Sequence, residues 1–504
     1  MADEVELKLA LAEDRQARFL RHPALKQALE RRAATIDNIY YDTPDLALRR
    51  RGIALRLRRI GRDWLQTVKL AGTSAAGLSS RPEWETPYAG HFDFSAIDQT
   101  TVRDWLQRPK LLARIVPICE TRFRRITWRF AAKPGAVLLT LDRGWIVANG
   151  RREAISELEL ELAGASVHSI FEIAGQFAQR VAVAPAVLSK AERGYRLFSD
   201  VAPTPFRAAV VPLSATMPPL AAFRHIALSC LEHLQQNHHG ALCSDDPEYI
   251  HQMRVATRRL RAALRLFAPM LTESLVESLR QPLANLMEHL GRARDLDVLL
   301  DEIANPVLTA LPDEPRLPAL ASDITNRRYA ARVQALALLA SPGYGLTLLS
   351  VLEALHAGDA TGDGKTSLRD FATQRLGRLH RKLRRLAAAA DPEQPASLHA
   401  LRIAVKRLRY AMEFFAPLVP AKAFDRALRR LADAQETLGQ LNDLTNAGTL
   451  LMECAGDDPR LREAVTLIGG WHGPRYASLQ AGLSRQQRGL VRLRLPKLAA
   501  EAMP

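Results

Sequence analysis

Several stretches of this chain carry charge at every second position, in most of them of one sign, which is the spacing of one face of a strand. Glu4, Glu6 and Lys8 alternate with Val5, Leu7 and Leu9, and Glu157, Glu159 and Glu161 alternate with Leu158, Leu160 and Leu162. Arg56 and Arg58 lie opposite Leu55 and Leu57, Arg122 and Arg124 flank Phe123, and Glu83 and Glu85 flank Trp84. A single such strand is ordinary: one face in the core, one in water. The set is not, because side chains at i and i+2 sit only ~7 Å apart and a row of carboxylates repels itself unless a cation lies among them. Carboxylate rows suit hard divalent cations such as Mg²⁺ or Mn²⁺, which complete their shells with water and phosphate oxygen. Arginine rows suit the phosphate oxygens, to which they offer forked donors. A closed barrel would bring both kinds of face into one cavity and turn the apolar faces outward onto helices.

The elements that must position these residues fall into two classes. Residues 3–10, 52–60, 63–70, 119–130, 136–148 and 153–162 alternate with period two, and helical spacing appears only near 12–32 and 168–181. Pro203, Pro205, Pro212, Pro218 and Pro219 mark a linker over 201–219. From 220 to 495 the spacing is helical, with breaks near 241–247, 304–318, 357–366 and 391–397. The fold class expected is α+β: a strand domain over 1–200 and an all-α domain over 220–495.

The helical half contains a repeat. His251-Gln-Met-Arg-Val-Ala-Thr-Arg-Arg-Leu-Arg261 recurs 148 residues later as His399-Ala-Leu-Arg-Ile-Ala-Val-Lys-Arg-Leu-Arg409. At the same offset Leu290-Gly291-Arg-Ala-Arg-Asp295 matches Leu438-Gly439-Gln-Leu-Asn-Asp443, which argues for duplication of a helical unit. On a helix His251, Arg254, Arg258 and Arg261 form one basic stripe, and His399, Arg402, Lys406 and Arg409 form its counterpart. One stripe alone reads as a solvated face. Two matched stripes could line a shared groove.

At this point the residues resemble two known families. Glu4-Val-Glu-Leu-Lys8 is similar to the ExExK signature of CYTH domains, the triphosphate tunnel metalloenzymes. The resemblance continues through Tyr40-Tyr-Asp-Thr-Pro44, Leu55-Arg-Leu-Arg58, Thr67-Val-Lys69, Glu83-Trp-Glu85, Arg122-Phe-Arg124, Leu141-Asp142, Glu157-Leu-Glu159 and Ser189-Lys190. It implies an eight-stranded antiparallel tunnel that hydrolyses a linear triphosphate with Mg²⁺ or Mn²⁺. By motif position Glu4, Glu6, Glu157 and Glu159 would be metal ligands. Glu85 and Asp142 would serve a second metal or position water, with Lys8 beside them at the reacting phosphate. Lys8, Arg56, Arg58, Lys69, Arg122, Arg124 and Lys190 would hold the phosphate chain, and Glu161 is placed at the mouth or in a salt bridge. The helical half resembles the CHAD domain through its two His-x-x-Arg motifs, which implies that the two stripes bind inorganic polyphosphate.

The leading expectation is therefore an inorganic triphosphatase that converts tripolyphosphate to pyrophosphate and phosphate and carries a polyphosphate-binding partner domain. The alternatives are a catalytically silent polyphosphate binder, or an adenylate cyclase or other enzyme of organic triphosphates. Composition agrees with anionic ligands: among 504 residues, 70 Lys and Arg against 54 Asp and Glu give a net charge of +16. No GxxxxGK[ST] loop is present, so an ordinary P-loop ATPase is not expected. Few aromatics interleave with the basic residues to stack bases, so nucleic acid is not the expected partner. The four cysteines are widely spaced and match no zinc pattern, and no apolar run approaches the ~20 residues of a membrane span. A cytoplasmic, membrane-free protein is expected.

Overall fold

The computed structural model describes residues 4–357 and 366–498. They form two compact units: residues up to Pro205 together with the helix Pro342–Ala357, and the remainder of the chain from Phe206.

The first unit is built on one antiparallel sheet. Its strands are β1 (Glu4–Leu11), β2 (Glu30–Asp42), β3 (Ile53–Ile60), β4 (Asp63–Leu70), β5 (Thr73–Ala75), β6 (Leu78–Arg81), β7 (Glu83–Pro87), β8 (Val116–Ala131), β9 (Ala136–Ala148), β10 (Arg151–Ala163) and β11 (Val183–Pro185). They pair in the order β5-β6-β1-β10-β9-β8-β2-β3-β4-β7, with β11 added on β1. The six segments read from alternation are β1, β3, β4, β8, β9 and β10, and β2 and β7 bring the number to the eight that the resemblance implies; three short strands of three or four residues extend them into a nearly closed tunnel. The expectation of a helix over 12–32 gives way to the single helix Gln16–Leu20 and short turns, because Pro23 breaks the run and β2 starts at Glu30 to pair with β8.

Period-two alternation sends one set of side chains into the tunnel and the other under the covering helices. On the tunnel side Ile36, Phe123, Ile146 and Ile155, which share parity with Asn38, Arg125, Thr140 and Glu159, form an apolar cluster with Leu197 of the helix Lys190–Phe198. That helix lies close to β8 because Gly194 meets Cys119 directly, where a Cβ would collide with its Sγ. Ser189 caps it, accepting a hydrogen bond from the Glu192 amide at 3.1 Å. The Tyr-Tyr-Asp-Thr-Pro segment has a structural duty: buried Asp42 accepts the backbone amides of Thr43, Leu48 and Arg49 at 2.7, 2.8 and 2.9 Å and pins the turn before β3.

The expected helical span 220–495 is interrupted, since the helix Pro342–Ala357 packs within the first unit. Its Gly345 abuts the Val183 carbonyl of β11, and Phe171 stacks on His356 at 5.9 Å. Residues 201–219 are not a free tether throughout. The Phe206 amide donates to Asn237 at 2.9 Å, Leu213 and Ala215 are buried, and the Leu368 amide donates to the Met217 carbonyl at 2.9 Å. Proline denies this segment a regular ladder, but its apolar side chains still bury.

The second unit is a duplicated set of helices. Pro247–Phe267 and Glu273–Val298 in the first copy begin 148 residues before Pro395–Phe414 and Ala421–Ala455 in the second. Its centre shows the same symmetry. Phe223 and Phe267 pack with Phe371 and Phe415, their counterparts at the same offset; Phe267 stacks on Phe371 at 4.9 Å and meets Phe415 at 5.9 Å. No single helix among the described residues is long and apolar enough to cross a membrane.

Candidate functional site

A cavity of about 320 Å³ opens in the tunnel. Glu6 and Lys8 reach it from β1, Asn38 and Tyr40 from β2, Arg56 and Arg58 from β3, Lys69 from β4, Glu83 and Glu85 from β7, Arg125 from β8, and Glu159 and Glu161 from β10. With Arg81 and Lys190 added, seven cationic side chains face five carboxylates, an excess that favours a polyanion. Two antiparallel neighbours build the acidic wall, where Glu6 pairs across from Glu161 and Lys8 from Glu159. The basic wall lies opposite, on β3 and β4.

Beneath the acidic wall sits a buried ion cluster. Asp142, Glu157 and Glu159 bring carboxylate oxygens within 4.8 Å of one another. Lys190 Nζ lies 2.7 Å from Asp142 and 3.0 Å from Glu159, and is also paired with Glu157. Arg125 donates from Nε and Nη2 to Asp142 at 2.7 and 2.6 Å, and from Nη2 to Glu159 at 2.5 Å. Arg193 adds a contact to Glu157 at 3.2 Å. Burial works against the charge on Glu159, yet Lys190, Lys8 and Arg125 together hold it well below the usual carboxylate range. Burial likewise opposes the charge on Lys8, but Glu159, Glu6 and Glu157 outweigh it and raise its pKa.

The basic wall is under opposite stress. Arg58 is pushed down to about 10, first by burial and then by neighbouring Arg56 and Arg125. Its Nε donates to Asn38 at 3.2 Å, and its Nη1 is 3.7 Å from Glu85. Arg56 lies 3.3 Å and Lys69 2.7 Å from Glu83. Glu85 accepts from Thr67 Oγ1 at 3.0 Å and is the most open of these paired carboxylates, 36% exposed.

The tunnel brings together Glu6, Lys8, Arg56, Arg58, Lys69, Glu85, Glu159 and Lys190. Glu4 belongs to β1, but its side chain lies outside the described residues. Asp142 and Glu157 are buried in the ion cluster and are not among the lining residues of the cavity. Arg122 and Arg124 are misplaced by the sequence reading: both are exposed on the outer face, and Arg122 lies 3.4 Å from the equally outward Asp37. Arg125 takes the inward position with Phe123. The signal was available in the parity of β8, because Arg122 and Arg124 share a face with Ile126, Trp128 and Phe130, the apolar side under the helices. Glu83, Arg81 and Asn38 also line the cavity without having been assigned a role.

In the helical unit a groove of about 380 Å³ is lined by His251, Arg254 and Arg258 of the first stripe and by Arg402 and Lys406 of the second. Arg254 is 3.2 Å from Asp295, and Arg258 Nε donates to the Tyr410 hydroxyl at 2.6 Å. Lys406 falls to about 7, through burial first and then Arg402, Arg258 and Arg254. His251 is also pushed down by burial and Arg294, so it is neutral at pH 7. His399 lines an adjoining pocket that shares Arg402. Arg261 and Arg409 do not line the groove; Arg409 donates instead to Glu413 at 2.8 Å.

The strand part thus holds a tunnel with facing acidic and basic walls, and the helical part a duplicated unit with a basic groove. The comparisons match one family to each part. The CYTH domain model matches residues 2–195 and the CHAD domain model residues 225–452. The helical part is 37% identical to the crystal structure of the CHAD domain from the plant Ricinus communis, with a TM-score of 0.51, covering 58% of this chain and 99% of that one. The chain belongs to the CHAD family through its helical part and carries a CYTH domain in its strand part. The strand part is 29% identical to an inorganic triphosphatase of Haemophilus influenzae over 199 residues, 40% of this chain. The chain spans about half that relative's length, 56% of it. An uncharacterized protein of Mycobacterium tuberculosis is 27% identical over 401 residues, 74% of this chain and 75% of its own.

Proposed function

We propose that the tunnel hydrolyses inorganic tripolyphosphate to pyrophosphate and phosphate with Mg²⁺ or Mn²⁺, and that the helical groove binds inorganic polyphosphate. The observation that carries the first part is the cavity's division into an acidic wall on β1 and β10 and a basic wall on β3 and β4. Glu6 and Glu161 sit opposite each other on adjacent strands and offer oxygen donors of the kind a hard cation takes, with Glu4 as a further ligand by motif. The deeper triad fits one less well, because Lys190 and Arg125 already neutralise it. When bound, the metal supplies charge neutralisation of the phosphate chain and acidification of a water.

The chain's own residues supply the rest. Arg56, Arg58, Lys69 and Arg125 hold phosphate oxygens, and their crowding is relieved when an anion enters. Lys8 and Lys190 support the reacting phosphate from the acidic side. Glu85, the open carboxylate, is placed to orient water, whereas Asp142 is wholly buried and positions Arg125. Glu157 holds Lys190 and Arg193. Only Tyr40 and Phe123 among the described lining residues are aromatic, which favours a bare triphosphate over a nucleotide.

The test is product analysis after incubation with tripolyphosphate, ATP, thiamine triphosphate or long-chain polyphosphate and either metal. Phosphate and pyrophosphate from tripolyphosphate support the proposal, and cyclic nucleotide from ATP overturns it. Glu6→Gln should remove metal-dependent turnover and leave the fold intact; full activity in that variant counts against the acidic wall as the metal site.

A further inference from the structure

The helices Pro247–Phe267 and Pro395–Phe414 carry opposite charges at one matched position. At the 148-residue offset Arg259 corresponds to Arg407, and Arg265 corresponds to Glu413. In one half, Arg259 Nη1 donates to Glu413 Oε2 at 2.9 Å, and the pair is largely buried, 13% and 18% exposed. In the other half the residue that should neutralise Arg407 is Arg265, a second cation. The packing does not demand a cation there, since its counterpart accommodates a glutamate.

These two arginines line a cleft of about 280 Å³ together with Arg375 and Tyr410, between the aliphatic side chains of Leu266 and Leu379. No carboxylate lines the cleft among the described residues. Arg375 Nη2 donates to the Arg265 carbonyl at 3.2 Å, while its Nε is buried without a partner. Arg265 is pushed below its ordinary range by burial, then by Arg261 and Arg407, with no acid opposing them. Three guanidinium groups without an acid would relax onto oxyanions, to which their forked donors are matched. The cleft also adjoins the central groove: Tyr410 lines it, and the Tyr410 hydroxyl accepts from Arg258, which lines the groove.

We propose that Arg265, Arg375 and Arg407 form a second, asymmetric phosphate-binding cleft that takes up polyphosphate chain running on from the central groove. The proposal rests on the reading of that groove as a polyphosphate site. It predicts that the cleft matters for long chains and not for short ones, which end within the groove.

The test is binding of long-chain polyphosphate and of tripolyphosphate to the full chain across a salt series, with divalent metal chelated. Arg265→Glu reproduces the ion pair of the other half and should fold at least as well as the parent, while Arg407→Gln removes a cation independently. Both should weaken long-chain binding at least about tenfold, with the salt slope reduced by about one in Arg407→Gln and by about two in Arg265→Glu, whose carboxylate also occupies Arg407, and leave tripolyphosphate binding unchanged. Wild-type affinity and slope for long chains in both variants, while Arg254→Ala with Arg402→Ala loses binding, would overturn the cleft and leave the groove standing. Equal losses for short and long ligands would also overturn it as a chain extension. Absence of long-chain binding by the parent would overturn the groove and the cleft together.

Discussion

Replacement of Arg125 by Met tests the ion cluster that holds the tunnel together. The side chain is 20% exposed and makes three charged hydrogen bonds, two to the fully buried Asp142 and one to Glu159. Removing one partner of a buried pair costs about 3–5 kcal/mol, because the remaining charge stays out of water. Lys190 still reaches both carboxylates, which sets the expected loss near the low end, about 3 kcal/mol. For a unit of this size that is a fall of about 6–12 °C in the unfolding midpoint. Five of the six tryptophans (Trp64, Trp84, Trp105, Trp128 and Trp145) lie in the strand part, so their fluorescence reports this transition.

The pH dependence has a definite sign. Glu159 has its folded pKa held below its unfolded value, so its contribution is present above the unfolded pKa and is lost as pH falls through the folded one. Without Arg125 the Glu159 pKa lies closer to its unfolded value, so the variant has less of this contribution to lose and finishes losing it at a higher pH than the parent. The gap between parent and variant should therefore be full at pH 7 and shrink toward strong acid. Turnover of tripolyphosphate should fall about 10²-fold, the scale of losing one preorganised donor. A variant with the parent's midpoint at pH 7 would refute the cluster as a source of stability. Unchanged turnover would remove Arg125 from the phosphate wall.

Two other outcomes are expected. Arg122→Ala and Arg124→Ala should leave tripolyphosphate turnover within about twofold of the parent, since solvated surface charges contribute little; a large loss in either would return the outer face of β8 to the mechanism. Free Lys406 titrates at about 7, so above that pH polyphosphate must restore its proton on binding, and affinity should fall by up to about tenfold per pH unit. Lys406→Met should bind more weakly below pH 7 and remove its share of the decline above it, as measured by titration calorimetry in buffers of different ionisation enthalpy.

Much of the architecture was legible because it is local. The alternation of Glu157, Glu159 and Glu161 with leucines marks β10, and the offset of 148 residues recurs in helix starts and in the central phenylalanines. β2 was partly hidden because its first residues, Glu30-Arg-Arg-Ala-Ala, lack alternation and take their strand form from pairing with β8. The helix Pro342–Ala357 reads like its helical neighbours, and only its contact with β11 and the helix Val167–Ala178 assigns it to the first unit.

Residue types and spacing by themselves determined that the strand half carries facing acidic and basic rows, and that the helical half carries two matched basic stripes. Which charges share a cavity was decided by the tertiary structure. Arg122, Arg124 and Arg125 are chemically alike and adjacent, so the direction in which β8 turns its faces, set by Trp128 and Phe130 packing under helices, selects Arg125. The partnership of Glu413 with Arg259, and of Arg265 with Arg407, likewise exists only once the two copies pack. Periodicity is a property of neighbours along the chain, whereas electrostatic environment depends on what distant segments bring within a few ångströms.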